Sequence, residues 1–187
     1  MRLFSQGRIA EESGATLVEF AVTLPLLVVV LYAVFDFGSV YSLKQKLGSA
    51  VYECARAGAS QSPGNLKDTG VDDTGSVGDL KALVANSLKG SGLNDCGLLA
   101  SAGATSSPPP FATWVYNVTA PGCPGSLKLT IERQNVVTAG AVKVIYTHVH
   151  LEYPFQWQLG KVIQLVSPAG TFPVTILTAD AAMPNLN

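Results

Sequence analysis

The run from Ala15 to Phe35 constrains the fold of this chain more than any other feature, because 17 of its 21 residues are apolar. As a helix it would be about 32 Å long, enough to cross a bilayer hydrocarbon core of roughly 30 Å. A cleaved secretory signal has a shorter apolar region, with its cleavage site after that region. Here the small-residue junction Gly14-Ala15 lies before the run. The sequence therefore predicts a retained membrane-spanning helix.

Two residues inside this run are unusual for a simple anchor. Glu19 places a carboxylate near the start of the span, where membrane insertion of an unpaired charge is unfavourable. Pro25 cannot donate a backbone hydrogen bond to Ala21, so we predict a kink or a locally loosened turn there, with Thr23 as a nearby polar side chain that could compensate. Both a passive kink and a functional one fit the sequence.

The helical pattern continues beyond the membrane-length run. Apolar or small residues recur at steps of three and four, which marks one face of a helix. They are Phe37, Val40, Tyr41, Leu47, Val51, Cys54, Ala55 and Gly58. We therefore predict one helix from about Ala15 to Ala59, apolar all round in its first half and amphipathic in its second. Asp36, near the far edge of the span, is interpreted as a helix-boundary or packing residue.

The rest of the chain predicts a small helix followed by strands. A capping pattern at Ser76–Asp79 and apolar residues at helical spacing predict a helix over 77–89, and Gly90 is a natural stop. The intervening segments 60–75 and 91–112 are rich in turn residues and predict loops. The predicted strands are 113–119, 127–133, 142–153, 161–166 and 172–178. A long helix, a short helix and several antiparallel strands predict an α+β fold of pilin-like architecture.

Three cysteines follow the span. Cys96 and Cys123 lie in Gly-, Asn- and Pro-rich loops, whereas Cys54 falls in the helical pattern. Three pairings are possible, and we favour Cys96–Cys123 with Cys54 as a buried thiol; three reduced cysteines are the alternative. Zinc is not expected, because the cysteine spacings lack the usual paired-ligand pattern.

The sequence favours a structural role over catalysis. Its net charge is −1 and it has no basic run, so nucleic-acid binding is not expected. No nucleophile elbow, phosphate loop or paired-carboxylate motif is present, so we expect no enzyme and no cofactor. His148 and His150, the only histidines, share a strand face with Glu152, which leaves a metal site as a minor alternative to an ordinary solvated face. The aromatic residues Trp114, Phe155 and Trp157 are interpreted as core or sheet-face residues.

Taken together, the motifs of the first 59 residues resemble those of the TadE-like family, minor pilin-type proteins of the tight-adherence (Tad or Flp) pilus, a type IVc pilus. The matching motifs, in order, are Gly14-Ala15, Val18-Glu19-Phe20, Leu24-Pro25-Leu26-Leu27, Asp36-Phe37-Gly38 and the Ala- and Arg-rich tail Ala50–Ala59. They cover about a quarter of the chain, and the ending Leu177–Met183 is similar only in general plan.

The resemblance implies processing and a set of partners. In the family a prepilin peptidase cuts after the glycine, here between Gly14 and Ala15, which makes Glu19 the fifth residue of the mature chain. The new α-amino group at Ala15 would be mostly cationic at neutral pH and could pair with Glu19 of a neighbouring subunit. The implied partners are other pilins, contacted through the N-terminal helix, the prepilin peptidase, the inner-membrane Tad assembly platform and membrane lipid.

The implied organisation has four parts: a cytoplasmic leader (1–14), a transmembrane helix (15–35), its amphipathic continuation (36–59) and a periplasmic or extracellular α+β domain (60–187). The implied location is the bacterial inner membrane, and the pilus after assembly. The chain departs from the family pattern at Glu11 and Glu12, since pilin leaders are usually basic before the junction. The alternatives are an uncleaved single-pass protein that scaffolds the pilus machinery, and a membrane-tethered metal-binding domain.

Overall fold

The computed structural model describes residues 7–61, 76–101, 105–107, 112–139, 142–160 and 173–185. Within them the chain forms two helices of 15 residues or more and five strands, and residues 158–160 are also helical. The two long helices and the five strands are α1 (Gly7–Ser60), α2 (Ser76–Gly90), β1 (Thr105–Ser107), β2 (Ala112–Val118), β3 (Leu127–Ala139), β4 (Val142–Phe155) and β5 (Thr175–Pro184). The strands form one antiparallel sheet in sequence order, so the α+β prediction is confirmed.

The contacts divide the chain into two compact units. The described residues of the first unit are 7–39 and 157–160. The second unit contains the rest of α1 from Val40 onward, α2, the whole sheet and the connections between them that the structure describes. The predicted strand 161–166 lies outside the described residues.

The second unit has one apolar core, built from the inner faces of its elements. Alternation along the strands places every second side chain on this face, and the cross-strand pairs Trp114 with Ile131 and Leu129 with Leu151 lie within it. The second half of α1 contributes Leu43, Leu47, Val51, Cys54 and Ala55, and α2 contributes Val77, Leu80, Val84 and Leu88. The predicted face of α1 is therefore correct from Leu47 onward. It is wrong at Phe37 and Tyr41, which are exposed.

Element boundaries differ from the predictions where the local pattern is weak. α1 begins at Gly7 rather than Ala15, and so continues through the Gly14-Ala15 junction. β1, a strand of only three residues, lies in a segment predicted to be a loop. Its residues pair with the next strand, β2, and a stretch of three residues is too short to show a period of two. β5 begins at Thr175 and runs to Pro184, beyond the predicted end at residue 178.

Gly58 lies where α1 passes close to Thr147 of β4. A Cβ at this position would lie 2.8 Å from Thr147 Cγ2 and 3.1 Å from Leu80 Cδ1. Because Thr147 is short and β-branched, it has little freedom to move away. A small residue is therefore required on α1 where it crosses β4.

We predict opposite effects for two alanine substitutions in α1. Gly58→Ala should lower the free energy of unfolding by about 2 kcal/mol, the usual cost of overpacking. Gly48→Ala is the matched control, because a Cβ there has nothing within 4 Å. It should raise stability by about 0.5–1 kcal/mol through the higher helix propensity of alanine. Urea unfolding of the full chain in detergent micelles measures both, and equal effects would contradict the close approach.

Candidate functional site

The apolar half of α1 presents its side chains outward rather than into a core. The structure describes side chains from Gly14 onward, and the large apolar residues Leu17, Phe20, Leu26 and Phe35 are all 60% or more exposed. This helix is long and apolar enough to cross a membrane, and its most apolar window is not buried at all. A soluble core helix would be covered, so this exposure and composition are those of a membrane-associated helix.

The predicted processing residues lie together at the start of this exposed segment. Gly14, Ala15, Glu19 and Phe20 are all helical and exposed. A Cβ at Gly14 would meet nothing within 4 Å, so the protein's own packing does not require glycine there. In a single copy of the chain, Glu19 is exposed. An ion pair of Glu19 with an α-amino group at Ala15 would be buried only if other helices packed around it.

α1 is helical without interruption through Pro25. The hydroxyl of Thr23 donates to the backbone carbonyl of Glu19, one turn back, and lies 3.5 Å from the carbonyl of Phe20. Both of these carbonyls precede Ala21. The carbonyl of Ala21 is the one that loses its usual donor, because Pro25 has no backbone N–H. The Thr23 hydroxyl therefore does not replace the missing hydrogen bond. The predicted kink stays a prediction.

Asp36 is buried at the other end of the apolar segment, although most of its neighbours on α1 are exposed. Its carboxylate accepts hydrogen bonds from the backbone N–H groups of Gln158, at 3.2 Å, and Leu159, at 2.7 Å. The ring of Phe37 packs edge-on against Trp157, with centroids 5.7 Å apart. Asp36 is therefore a packing residue, and its partner lies more than 120 residues away in the sequence.

The histidines lie on the outer face of the sheet among carboxylates. His148 is 3.3 Å from Glu132 and 3.6 Å from Asp180, while His150 contacts Asp180 and lies 3.3 Å from Glu152. Both rings are partly exposed. In the part of the chain that the structure describes, no group of three or more His, Cys, Asp or Glu side chains could hold a metal ion. The geometry gives the metal-binding alternative no support.

The structure joins Cys96 and Cys123 by a disulfide, the pairing favoured from the sequence. Cys54 is a buried free thiol in the core between α1 and α2, where its Sγ lies 3.6 Å from the carbonyl oxygen of Leu80. Burial raises the pKa of Cys54 to about 12, and the nearby Arg133 opposes this shift. Because the thiolate is the reactive form, Cys54 is an inert core residue.

One residue that the sequence did not single out ties α1 to the sheet. Arg133 on β3 is almost completely buried, and its guanidinium donates to the backbone carbonyls of Gly58 and Gln61 at the end of α1. It also donates to the side chain of Gln61. Carbonyls in the last turn of a helix have no partner within the helix, and a cation is favourable there. Alternation along β3 places Arg133 on the same inner face as Leu129 and Ile131, but it does not indicate which groups the guanidinium contacts.

Comparison with known protein families matches residues 14–56 to the family described as TadE-like protein. No curated protein and no solved structure matches the chain. The matched segment contains the exposed apolar half of α1, the Gly14-Ala15 junction and the first part of the helix that packs on the sheet. Over this segment, about a quarter of the chain, the protein is similar to TadE-like proteins.

Proposed function

We propose that this chain is a minor pilin-like structural subunit required for assembly or priming of a Tad pilus. One observation carries the proposal: the exposed apolar half of α1 bears Glu19 at the fifth position after the Gly14-Ala15 junction. A helix of this kind inserts in a bilayer as a single copy and packs against similar helices in a filament. The proposed role is structural, with no catalytic step.

The charge of Glu19 gives this packing a preferred register. A carboxylate at mid-membrane depth costs about 3 kcal/mol on insertion scales, and less near an edge. When Glu19 enters an apolar filament core, the α-amino group of a neighbour's Ala15 offsets that cost. Only registers that bring the two groups together leave neither charge unpaired.

The proposed location is the bacterial inner membrane, with the sheet-containing unit in the periplasm and the whole chain in the pilus after assembly. The disulfide between Cys96 and Cys123 supports a location outside the cytoplasm, because such bonds persist in oxidising compartments. The proposed partners are the other pilins, the prepilin peptidase, the inner-membrane assembly platform and lipid.

We predict that co-expression with the prepilin peptidase of a Tad system shortens the chain so that it begins at Ala15. Intact-mass measurement and N-terminal sequencing would detect the cut. Gly14→Val should block it without disturbing the fold, because the space around Gly14 is open. Gly38→Ala is the matched control, a substitution in the same helix at an equally open position, and should be cut normally. A chain that still begins at Met1 beside an active peptidase would contradict the proposal.

A second candidate is an uncleaved single-pass protein that scaffolds the assembly machinery. The start of α1 at Gly7 favours it, since the junction then lies inside a helix rather than in an extended segment. The peptidase experiment separates the two candidates, because the scaffold would keep residues 1–14 with the peptidase present.

A further inference from the structure

In the exposed half of α1, one polar residue is buried while its apolar neighbours are exposed. In residues 14–42, all of which the structure describes, Asp36 is the one buried side chain, with 3% of its surface exposed. Its apolar neighbours Phe35 and Phe37 are 72% and 67% exposed. A buried carboxylate flanked by exposed phenylalanines is unfavourable in water unless something specific covers the acid.

The acid contacts the turn that follows β4, at residues 158 and 159. This strand ends at Phe155, and residues 158–160 are helical. The N–H groups in the first turn of a helix have no partner within the helix. Asp36 supplies acceptors for two of them, from Gln158 and Leu159, so it caps this turn from a different helix. Trp157 packs against Phe37 at the same place.

The position of this turn along α1 places it at a membrane surface. If the apolar segment enters the bilayer near Ala15, 21 residues of helix bring Phe35 about 32 Å farther, to the opposite edge of the hydrocarbon core. Tryptophan concentrates at this boundary because its ring is apolar and its N–H is polar. A backbone N–H group without a hydrogen-bond partner is unfavourable at this depth. The buried carboxylate of Asp36 avoids that cost by accepting hydrogen bonds from two such groups.

We infer that residues Trp157–Gly160 form a second membrane contact, the membrane-surface turn, which lies at the headgroup–acyl boundary of a phospholipid bilayer and is held against α1 by Asp36. This inference rests on the proposed insertion of α1. Bilayer contact would then come from two places in the sequence, 122 residues apart as measured from Asp36 to Gln158. The turn would fix how far α1 rises out of the membrane before assembly.

Tryptophan fluorescence tests this contact in the full chain. The protein has two tryptophans, and Trp114 is buried in the core of the sheet-containing unit. Trp114→Phe therefore leaves Trp157 as the single emitter. In phosphatidylcholine vesicles, a nitroxide lipid labelled near the headgroup should quench Trp157 at least about twofold more strongly than one labelled at the chain end. If Trp114→Phe does not fold, the difference between the wild-type protein and Trp157→Phe gives the same quantity.

Asp36→Ala removes the acceptors and should reduce the shallow quenching by about half or more, because two N–H groups lose their partner. Asp180→Asn, which alters an exposed carboxylate on the sheet, is the matched control and should leave the quenching unchanged. Co-sedimentation with the vesicles separately measures insertion of α1. An inserted chain whose Trp157 is unquenched, or is quenched most strongly from the chain end, overturns the membrane-surface turn and leaves the proposed function intact. A chain that does not insert overturns both.

Discussion

Glu19→Ala is expected to leave α1 in the membrane and to reduce the amount of this chain in purified pili by about a hundredfold. The expected size follows from the cost of an uncompensated buried charge, about 3 kcal/mol or more. Without the carboxylate, the α-amino group at Ala15 of a neighbouring subunit has no counter-charge in the apolar core. Insertion should not weaken, because alanine is better tolerated in a bilayer than glutamate. Quantitative immunoblots of sheared pili and of membranes measure the two effects.

Glu53→Ala is the matched control for Glu19→Ala. Glu53 lies on the same helix and is exposed, but it is outside the apolar half. Its loss removes a surface charge and should leave the amount of chain in pili unchanged. Wild-type incorporation of Glu19→Ala would show that this carboxylate is incidental to assembly. Equal losses from both substitutions would point to a general effect of charge on α1.

Arg133→Met is expected to lower the free energy of unfolding by about 3 kcal/mol, the second large effect. The guanidinium makes hydrogen bonds of 2.9 and 3.0 Å to the carbonyls of Gly58 and Gln61, and burial leaves little water to replace them. Each buried acceptor left without a donor costs about 1–3 kcal/mol. Burial lowers the pKa of Arg133, because the charged form loses hydration, yet arginine remains protonated at neutral pH. Urea unfolding of the full chain in detergent micelles gives the loss.

Lys128→Met is the control for Arg133→Met, since both residues are cations on β3. Lys128 is 42% exposed and pairs with Glu152 at 3.3 Å. Exposed ion pairs contribute at most about 1 kcal/mol, so this substitution should have a small effect. Similar losses from the two substitutions would contradict the account in which Arg133 fastens the end of α1 to the sheet.

The parts of the fold that could be predicted are those set by local periodicity. Leu47, Val51, Cys54 and Ala55 follow the helical repeat closely enough to identify the buried face of α1. The alternation of Leu127, Leu129 and Ile131 likewise identifies the inner face of β3. In both cases the side chain's position in the repeat determines whether it is buried.

The parts that could not be predicted depend on contacts between distant segments. The partners of Asp36 are 122 and 123 residues away, and Arg133 reaches a carbonyl 75 residues earlier in the chain. Nothing local to these residues encodes such partners. The exposure of Phe37 and Tyr41 was missed because an apolar side chain at helical spacing can face lipid or a neighbouring chain as well as a core.

The candidate site likewise has a part that could be predicted from the sequence and a part that could not. The Gly14-Ala15 junction, Glu19 and the apolar run are contiguous, so their order alone indicated both a membrane helix and a family resemblance. The structure adds that the apolar half is uncovered, which is the property that a helix needs for lipid and for other helices. It also adds the turn at Asp36.

Mass spectrometry of pili, sheared from cells and purified by density, is the most direct test of the proposed subunit role. The account predicts that this chain is present in the pili and that its N-terminal peptide begins at Ala15, with no peptide from residues 1–14. A chain confined to the inner membrane, with residues 1–14 still attached while the major pilin is found in pili, would contradict it.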